Sequence, residues 1–276
     1  MAGLLLGTSW ADGQPITAST YAGELVPENM LDLQPARRWR TLSTDMNTFE
    51  SVFGAILPVN MVVLAGNNLT LDSIVRIMLL DDNDKILYEE STTGGFYELG
   101  WGVQPLGEYG LGGYWTDPDQ VPGGYRDTDY IVFTFATVDC AKLAVEIVDT
   151  ANPDTYMEIG RLKVGRAIEV PFAAGYEMGW RDTSSLTRTR GGALRSNNGR
   201  SYRYVNVNAV LEDNQTELSQ IFRHTALRSD VVWSGFPPAS TNEGRENLIL
   251  GRLTTYGASN WTHEGVTTSF SIEEAI

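Results

Sequence analysis

Few side chains in this sequence are of the kind that make or break bonds. There are two histidines, His224 and His263, and one cysteine, Cys140. A nucleophile, a base and an orienting group must meet for acyl-transfer chemistry, and no local signature announces such a set. Gly-x-Ser-x-Gly, His-x-x-x-His and the phosphate-cradling Gly-x-x-x-x-Gly-Lys pattern are all missing from the sequence. His224 follows the apolar stripe of a helical segment and reads as a packed or surface residue. Cys140 precedes a strand and reads as a buried, inert thiol; a single cysteine also excludes an internal disulfide framework and a cysteine-rich zinc site. Asp81-Asp82-Asn83-Asp84 gathers oxygen ligands of the type calcium prefers. It lacks the twelve-residue spacing and closing Glu of an EF-hand, so a solvated turn is the expectation. No cofactor, metal site or catalytic residue is expected. Paired carboxylates could still form a glycosidase site in space, which a sequence with 35 acidic residues cannot reveal.

Two segments are built for contact. Gly94–Arg126 holds ten glycines, three prolines and seven aromatics in 33 residues, among them Trp101, Tyr109, Tyr114, Trp115 and Tyr125. Glycine frees the backbone while aromatics give rigid contact area with a polar edge, a composition suited to stacking on a saccharide or docking on another subunit. An insertion folding back over its own domain is the bland alternative. The second segment carries Arg181, Arg188, Arg190, Arg195, Arg200 and Arg203, opposed only by Asp182. Arg188, Arg190, Arg195 and Arg200 are candidate interface arginines on an exposed arm that meets the acidic part of an adjacent copy; a merely solvated loop is the competing reading. The stretch has no lysine, which disfavours a nucleic-acid patch.

The elements that position these segments divide in two. With 20 Lys+Arg against 35 Asp+Glu the formal charge is −15. Residues 1–150 hold 7 basic and 21 acidic residues and residues 151–276 hold 13 and 14, so nearly all of the imbalance lies in the first half. Asymmetry of this size marks two units with different neighbours. Breaks at Asn152-Pro153-Asp154 and Val170-Pro171 bracket the change, with the boundary near 166–171, giving units 1–168 and 169–276. In the first, Met61–Ala65, Ile74–Leu80, Lys85–Glu89, Tyr130–Phe135 and Lys142–Val148 are β-branched or aromatic runs between turn signals, which predicts a β-sandwich or barrel. In the second, Tyr202–Val210, Leu248–Leu253 and Val266–Ile272 read as strands. Leu218, Ile221, Phe222 and Thr225 fall at helical spacing behind an Asn214/Glu217 capping pair, so one helix is expected near 214–226 in an α+β unit with a mainly antiparallel sheet. No apolar run approaches the ~20 residues that cross a bilayer, and the start lacks the basic region of a secretory signal; membrane insertion is not expected.

Several stretches together resemble tail proteins of tailed bacteriophages and prophages. They are Pro27-Glu-Asn-Met-Leu-Asp32 with Arg37-Arg-Trp-Arg-Thr41, an opening seen in discoidin-like domains of such proteins, Gly66-Asn-Asn-Leu-Thr70, and Asn152-Pro-Asp-Thr-Tyr-Met-Glu-Ile-Gly-Arg-Leu162. Gly179-Trp-Arg-Asp182, Arg188-Thr-Arg-Gly-Gly192 and the ending Gly251-Arg-Leu…Ser269-Phe-Ser-Ile-Glu-Glu274 extend it over most of the chain. The Gly/aromatic insertion has no counterpart there. The resemblance implies a jelly-roll β-sandwich like carbohydrate-binding modules, joined to a tail-tube or distal-tail-like split barrel or sandwich with one helix. It also implies a structural virion protein of the tail tip or baseplate, a minor tail protein that forms homo-oligomers and is made in the host cytoplasm. Its partners would be copies of itself and other tail-tip proteins, not a specific nucleic-acid sequence. The alternative is a tail protein that grips a host-surface glycan.

Overall fold

The computed structural model describes residues 2–34, 36–70, 72–93, 130–172, 176–188, 194–197, 199, 201–211, 215–225, 229–235, 247–256, 260–262 and 265–274. The chain is mainly β, with a single α-helix among the described residues. The first sheet runs in the order β2 (Ile16–Ala18), β4 (Asn47–Ala65), β7 (Tyr130–Val148), β5 (Ile74–Leu80), β6 (Ile86–Thr93), and β9 (Arg161–Gly165) also pairs with β4. All of its pairings are antiparallel. Phe49, Phe53, Ile77, Leu79, Leu143 and Val145 alternate with residues of the outer face and point into one core. Its other side is closed by the 3₁₀ turn Pro27–Leu31 and a short ladder of β3 (Trp39–Arg40) with β8 (Glu158–Ile159), which supply Met30, Trp39 and Ile159. The result is a β-sandwich with one large layer and one small one. Cys140 is buried in it, and burial, with the nearby charge of Asp139, pushes its thiol up to about 12. Only the thiolate attacks an alkylating agent. Iodoacetamide at pH 8 is therefore expected to leave the folded chain unlabelled and to add one carbamidomethyl group after denaturation, as read by mass spectrometry.

The second sheet has the order β10 (Ile168–Pro171), β1 (Ala2–Leu6), β15 (Asp230–Ser234), β16 (Leu248–Tyr256), β18 (Gly265–Glu274), β14 (Ser201–Leu211), β11 (Glu177–Asp182), with β17 (Asn260–Thr262) on β18. The strands at the two ends of that order, β10 and β11, are consecutive in the chain. Phe172 between them bridges to Ala209 on β14, so the sheet curls back on itself as a barrel. Helix α1 (Gln215–Thr225) covers it. Leu218 and Phe222 sink into the barrel core, Ile221 packs beside them and Thr225 is buried, as the helical spacing predicts. Asn214 lies outside the described residues.

The expected split at 168/169 cuts just inside β10 of the second sheet; the first sheet ends with β9 at Gly165 and the second resumes at Ile168. However, β1 lies in the second sheet, pairing Ala2–Leu5 with Ile168–Pro171 and Leu4–Leu6 with Val232–Ser234. The sandwich is thus inserted between the first two strands of the barrel. The reason is packing: Leu5 enters the barrel core while Leu6 enters the seam between the two units, so this strand is apolar on both faces.

The same seam explains why Met61–Ala65 is apolar without alternation. Val62 and Leu64 face the sandwich core; Met61, Val63 and Ala65 face the barrel strands through Leu6, Val232, Leu248 and Leu250. A strand buried on both sides reads as a continuous apolar run. Next to it, β9 sends Leu162 and Val164 into the sandwich core and Arg161 and Lys163 across the seam. Arg161 grips Asp230 of β15 with Nε (2.6 Å) and Nη2 (2.9 Å), and Nη2 also reaches Asp12 at 3.0 Å. Lys163 Nζ donates to Asp230 Oδ1 and to the carbonyls of Gly7 and Asp230, at 2.9–3.0 Å. Burial alone would raise the Asp230 carboxyl, but the Arg161 hydrogen bonds and both cations outweigh it and hold it well below the usual carboxylate range. A second latch joins Tyr130 of the sandwich to Glu274 of β18 (3.0 Å), which Arg203 also holds.

Candidate binding surfaces

Most residues singled out by sequence fall outside the described residues: Trp101, Tyr109, Tyr114, Trp115, Tyr125, Arg190, Arg200 and His263. His224 lies on α1. Arg188 and Arg195 lie on a separate two-stranded ladder of β12 (Ser185–Arg188) with β13 (Leu194–Asn197), where Arg188 is paired with Leu194 and Arg195 with Thr187. Arg181 and Arg203 sit at the root of this ladder and are engaged: Arg181 pairs with Glu273 and Arg203 with Glu274. The last rung of the barrel sheet is Asp182 with Ser201, and the next is Ser185 with Asn197. The chain therefore continues from the barrel as a two-stranded ribbon, in which β12 and β13 pair with no other strand among the described residues. A Cβ on Gly199 would stand 2.3 Å from the Ser184 nitrogen, so only glycine lets the strands close at this point.

At the Asp81–Asp84 turn the carboxylates are already occupied. Asp81 accepts from the backbone nitrogens of Asn83 (2.8 Å) and Lys85 (2.9 Å), Asp82 accepts from the Asn83 side chain, and Asp84 pairs with Lys142. Asp84 takes the left-handed conformation (φ 63) that Asp tolerates in tight turns. Among the described residues no group of three or more His, Cys, Asp or Glu is placed to hold a metal.

The resemblance motifs build the end of the sandwich. Asn68 donates to Asp154 (3.0 Å) and to the Tyr156 carbonyl (3.1 Å) and accepts from the Glu158 nitrogen (2.7 Å). Asn152 and the Thr70 nitrogen both bond Asp149. Arg38 and Arg40 converge on Glu158, which is buried, and Arg40 also stacks over the Tyr156 ring at 4.1 Å. These polar side chains hold one another and the loop backbones in place.

A surface the sequence reading missed lies on the outer face of the first sheet. Cross-strand register aligns Thr17, Glu50, Ala144 and Met78 in one row and Thr48, Glu146 and Arg76 in the next. Together with Ser19 most of them line an open cleft of about 360 Å³. Arg76 orients Glu146 (2.8 Å) while also holding Glu89 (2.9 Å), and Ser19 Oγ accepts from the Thr48 nitrogen at 3.0 Å. The lining offers hydroxyls that donate and accept, two carboxylates that accept, and a small apolar floor of Met78 and Ala144. It contains no histidine, cysteine or lysine. The sequence signal was available in the outward positions of each strand, but which residues become neighbours depends on register between strands about 30 to 100 residues apart.

No family model and no curated protein matches the sequence. Among solved structures the chain is similar to the lectin domain of lectinolysin complexed with Lewis B antigen (14% identity over 58% of this chain and 98% of that one, TM-score 0.40). It is also similar to a Streptococcus pneumoniae fucose binding module (10%, 58% and 96%, TM-score 0.39). A third is chitosan-binding module 1 from a chitosanase/glucanase of Paenibacillus sp. IK-5 (16%, 58% and 99%, TM-score 0.39). These structural neighbours are carbohydrate-binding modules.

Proposed function

We propose that this chain is a non-catalytic glycan-binding protein that takes a host-surface saccharide on the outer face of its sandwich. The cleft carries the reading. Vicinal sugar hydroxyls need paired acceptors, and Glu50 and Glu146 supply carboxylates one row apart, beside the hydroxyls of Thr17, Ser19 and Thr48. Met78 and Ala144 offer a floor for the apolar face of a pyranose. An open cleft suits an internal stretch of a polysaccharide, and the lack of a basic lining side chain disfavours polyanionic ligands. Hydrogen bonds to charged groups contribute about 1.5–3 kcal/mol each. Glu50→Ala is therefore expected to weaken binding to neutral oligosaccharides by about 10–100-fold in titration calorimetry, with an unchanged circular dichroism spectrum. Equal affinity of wild type and variant would remove the cleft from the site. If Trp101→Ala or Trp115→Ala abolishes binding instead, the glycan sits on the Gly/aromatic segment.

A second reading, assembly as a structural component of a phage tail tip or baseplate, draws support from the sequence motifs and from the two-stranded ribbon. An isolated two-stranded ladder is marginally stable in water, and a partner surface would stabilise it. In this reading the chain resides in the virion tail.

A further inference from the structure

We infer that the cleft on the outer face of the sandwich selects amino sugars, seating the protonated amine of a 2-amino-2-deoxyhexose residue between Glu50 and Glu146. The inference rests on the glycan reading of that cleft and names the class of saccharide it takes. The two carboxylates are held differently. Glu146 accepts from Arg76 at 2.8 Å, and the same guanidinium holds Glu89 at 2.9 Å. Glu50 has no hydrogen bond or salt bridge among the described residues, and Lys142 acts on it only through space because its Nζ pairs with Asp84. Register sets Glu50 opposite Ala144 and Glu146 opposite Thr48 on antiparallel strands. The two glutamates are therefore diagonal neighbours, with Cβ atoms about 7 Å apart. From that separation both carboxylates can accept from one ammonium group placed between them.

Charge and shape agree with this occupant. The lining carries two carboxylates and no lysine, arginine or histidine. It lies in the half of the sequence that holds 7 basic against 21 acidic residues, so the surrounding field also draws a cation. An ammonium offers three donors and no acceptor, which matches a pair of carboxylates, and such charge-assisted hydrogen bonds are roughly twice as strong as neutral ones. The short side chain of Ala144 leaves space beside Glu50 in the cleft of about 360 Å³. The hydroxyls of Thr17, Ser19 and Thr48 line the same cleft and can meet ring hydroxyls. A lysine-rich peptide would leave those hydroxyls unused, which favours an amine carried on a sugar. A metal ion is the poorer occupant, since no group of three or more His, Cys, Asp or Glu gathers among the described residues.

The test is titration calorimetry of the full chain, in mildly acid buffer, with a glucosamine oligosaccharide and with its N-acetylated form of equal length. Wild type is expected to bind the amine-bearing oligomer at least tenfold more tightly, and salt should narrow that preference by screening the charge. Glu50→Gln keeps the size of the side chain and removes its charge. It should cost the amine-bearing oligomer at least ten times the affinity it costs the N-acetylated one, with circular dichroism and thermal melting reporting that the variant folds. Equal affinity of wild type for the two oligomers overturns the amine inference and leaves the glycan reading standing. A preference for the amine that survives Glu50→Gln also overturns it, because the amine then sits elsewhere. An oligolysine that binds as tightly as the amino sugar and competes with it shows that the cleft reads charge without sugar, and overturns it too. A wild type that binds neither oligomer and no neutral glycan overturns both this inference and the glycan reading beneath it.

Discussion

Asp230→Ala is expected to destabilise the protein by about 3–5 kcal/mol, the cost of leaving buried partner charges uncompensated, a drop in thermal midpoint on the order of 10 °C for a chain of this size. Arg161 and Lys163 have no exposed surface, and Asp230 is the acceptor both share. Without it, Asp12 is, among the described residues, the one other carboxylate paired with Arg161, and Lys163 keeps the two carbonyl acceptors of residues 7 and 230. Adding Lys163→Met, which removes one stranded cation, should recover part of the loss. The pH dependence has a definite sign. The folded-state carboxyl of Asp230 is held below its ordinary value, so its contribution is complete above the unfolded carboxylate range, near pH 4. It is lost only as pH falls through the lower folded value. The stability gap between wild type and Asp230→Ala, measured by urea denaturation, should therefore be flat from neutral pH to about pH 5 and close only in stronger acid. A gap that closes near pH 6 would mean that another group holds the seam.

Trp39→Ala is the second large effect, about 3–5 kcal/mol for truncating a buried aromatic. Trp39 has no exposed surface, meets Phe49 edge-to-face at 5.4 Å and donates from Nε1 to the Thr20 carbonyl at 2.9 Å. Truncation opens a cavity under the small layer of the sandwich and frees the 20–25 loop, whose backbone is tied to Arg40 by two further hydrogen bonds. Hydrogen exchange should accelerate in residues 20–25 and 39–41 while the barrel amides keep their protection. Uniform acceleration would mean that the two units unfold as one.

Local pattern accounts for much of this architecture. The runs at 61–65, 74–80 and 142–148 are strands, the stripe Leu218, Ile221, Phe222 and Thr225 is the inward face of the helix, and the chain is mainly β. These features depend on residues near one another in sequence, where backbone periodicity and side-chain burial coincide. The role of Arg37-Arg-Trp-Arg-Thr41 was less legible: its arginines hold Asp32 and Glu158 and its tryptophan fills a core, so the motif maintains the sandwich end.

By itself the sequence determined element type, the charge asymmetry between the halves and the shortage of catalytic side chains, because each follows from composition or short-range spacing. Tertiary structure alone decided that Ala2–Leu6 completes the barrel, that Arg161 and Lys163 share Asp230, and that Glu50 and Glu146 share a cleft with Thr17 and Thr48. The physical reason is register. Each of these juxtapositions joins strands far apart in the chain, and which side chains meet is set by how those strands align in a sheet and which faces the two cores bury.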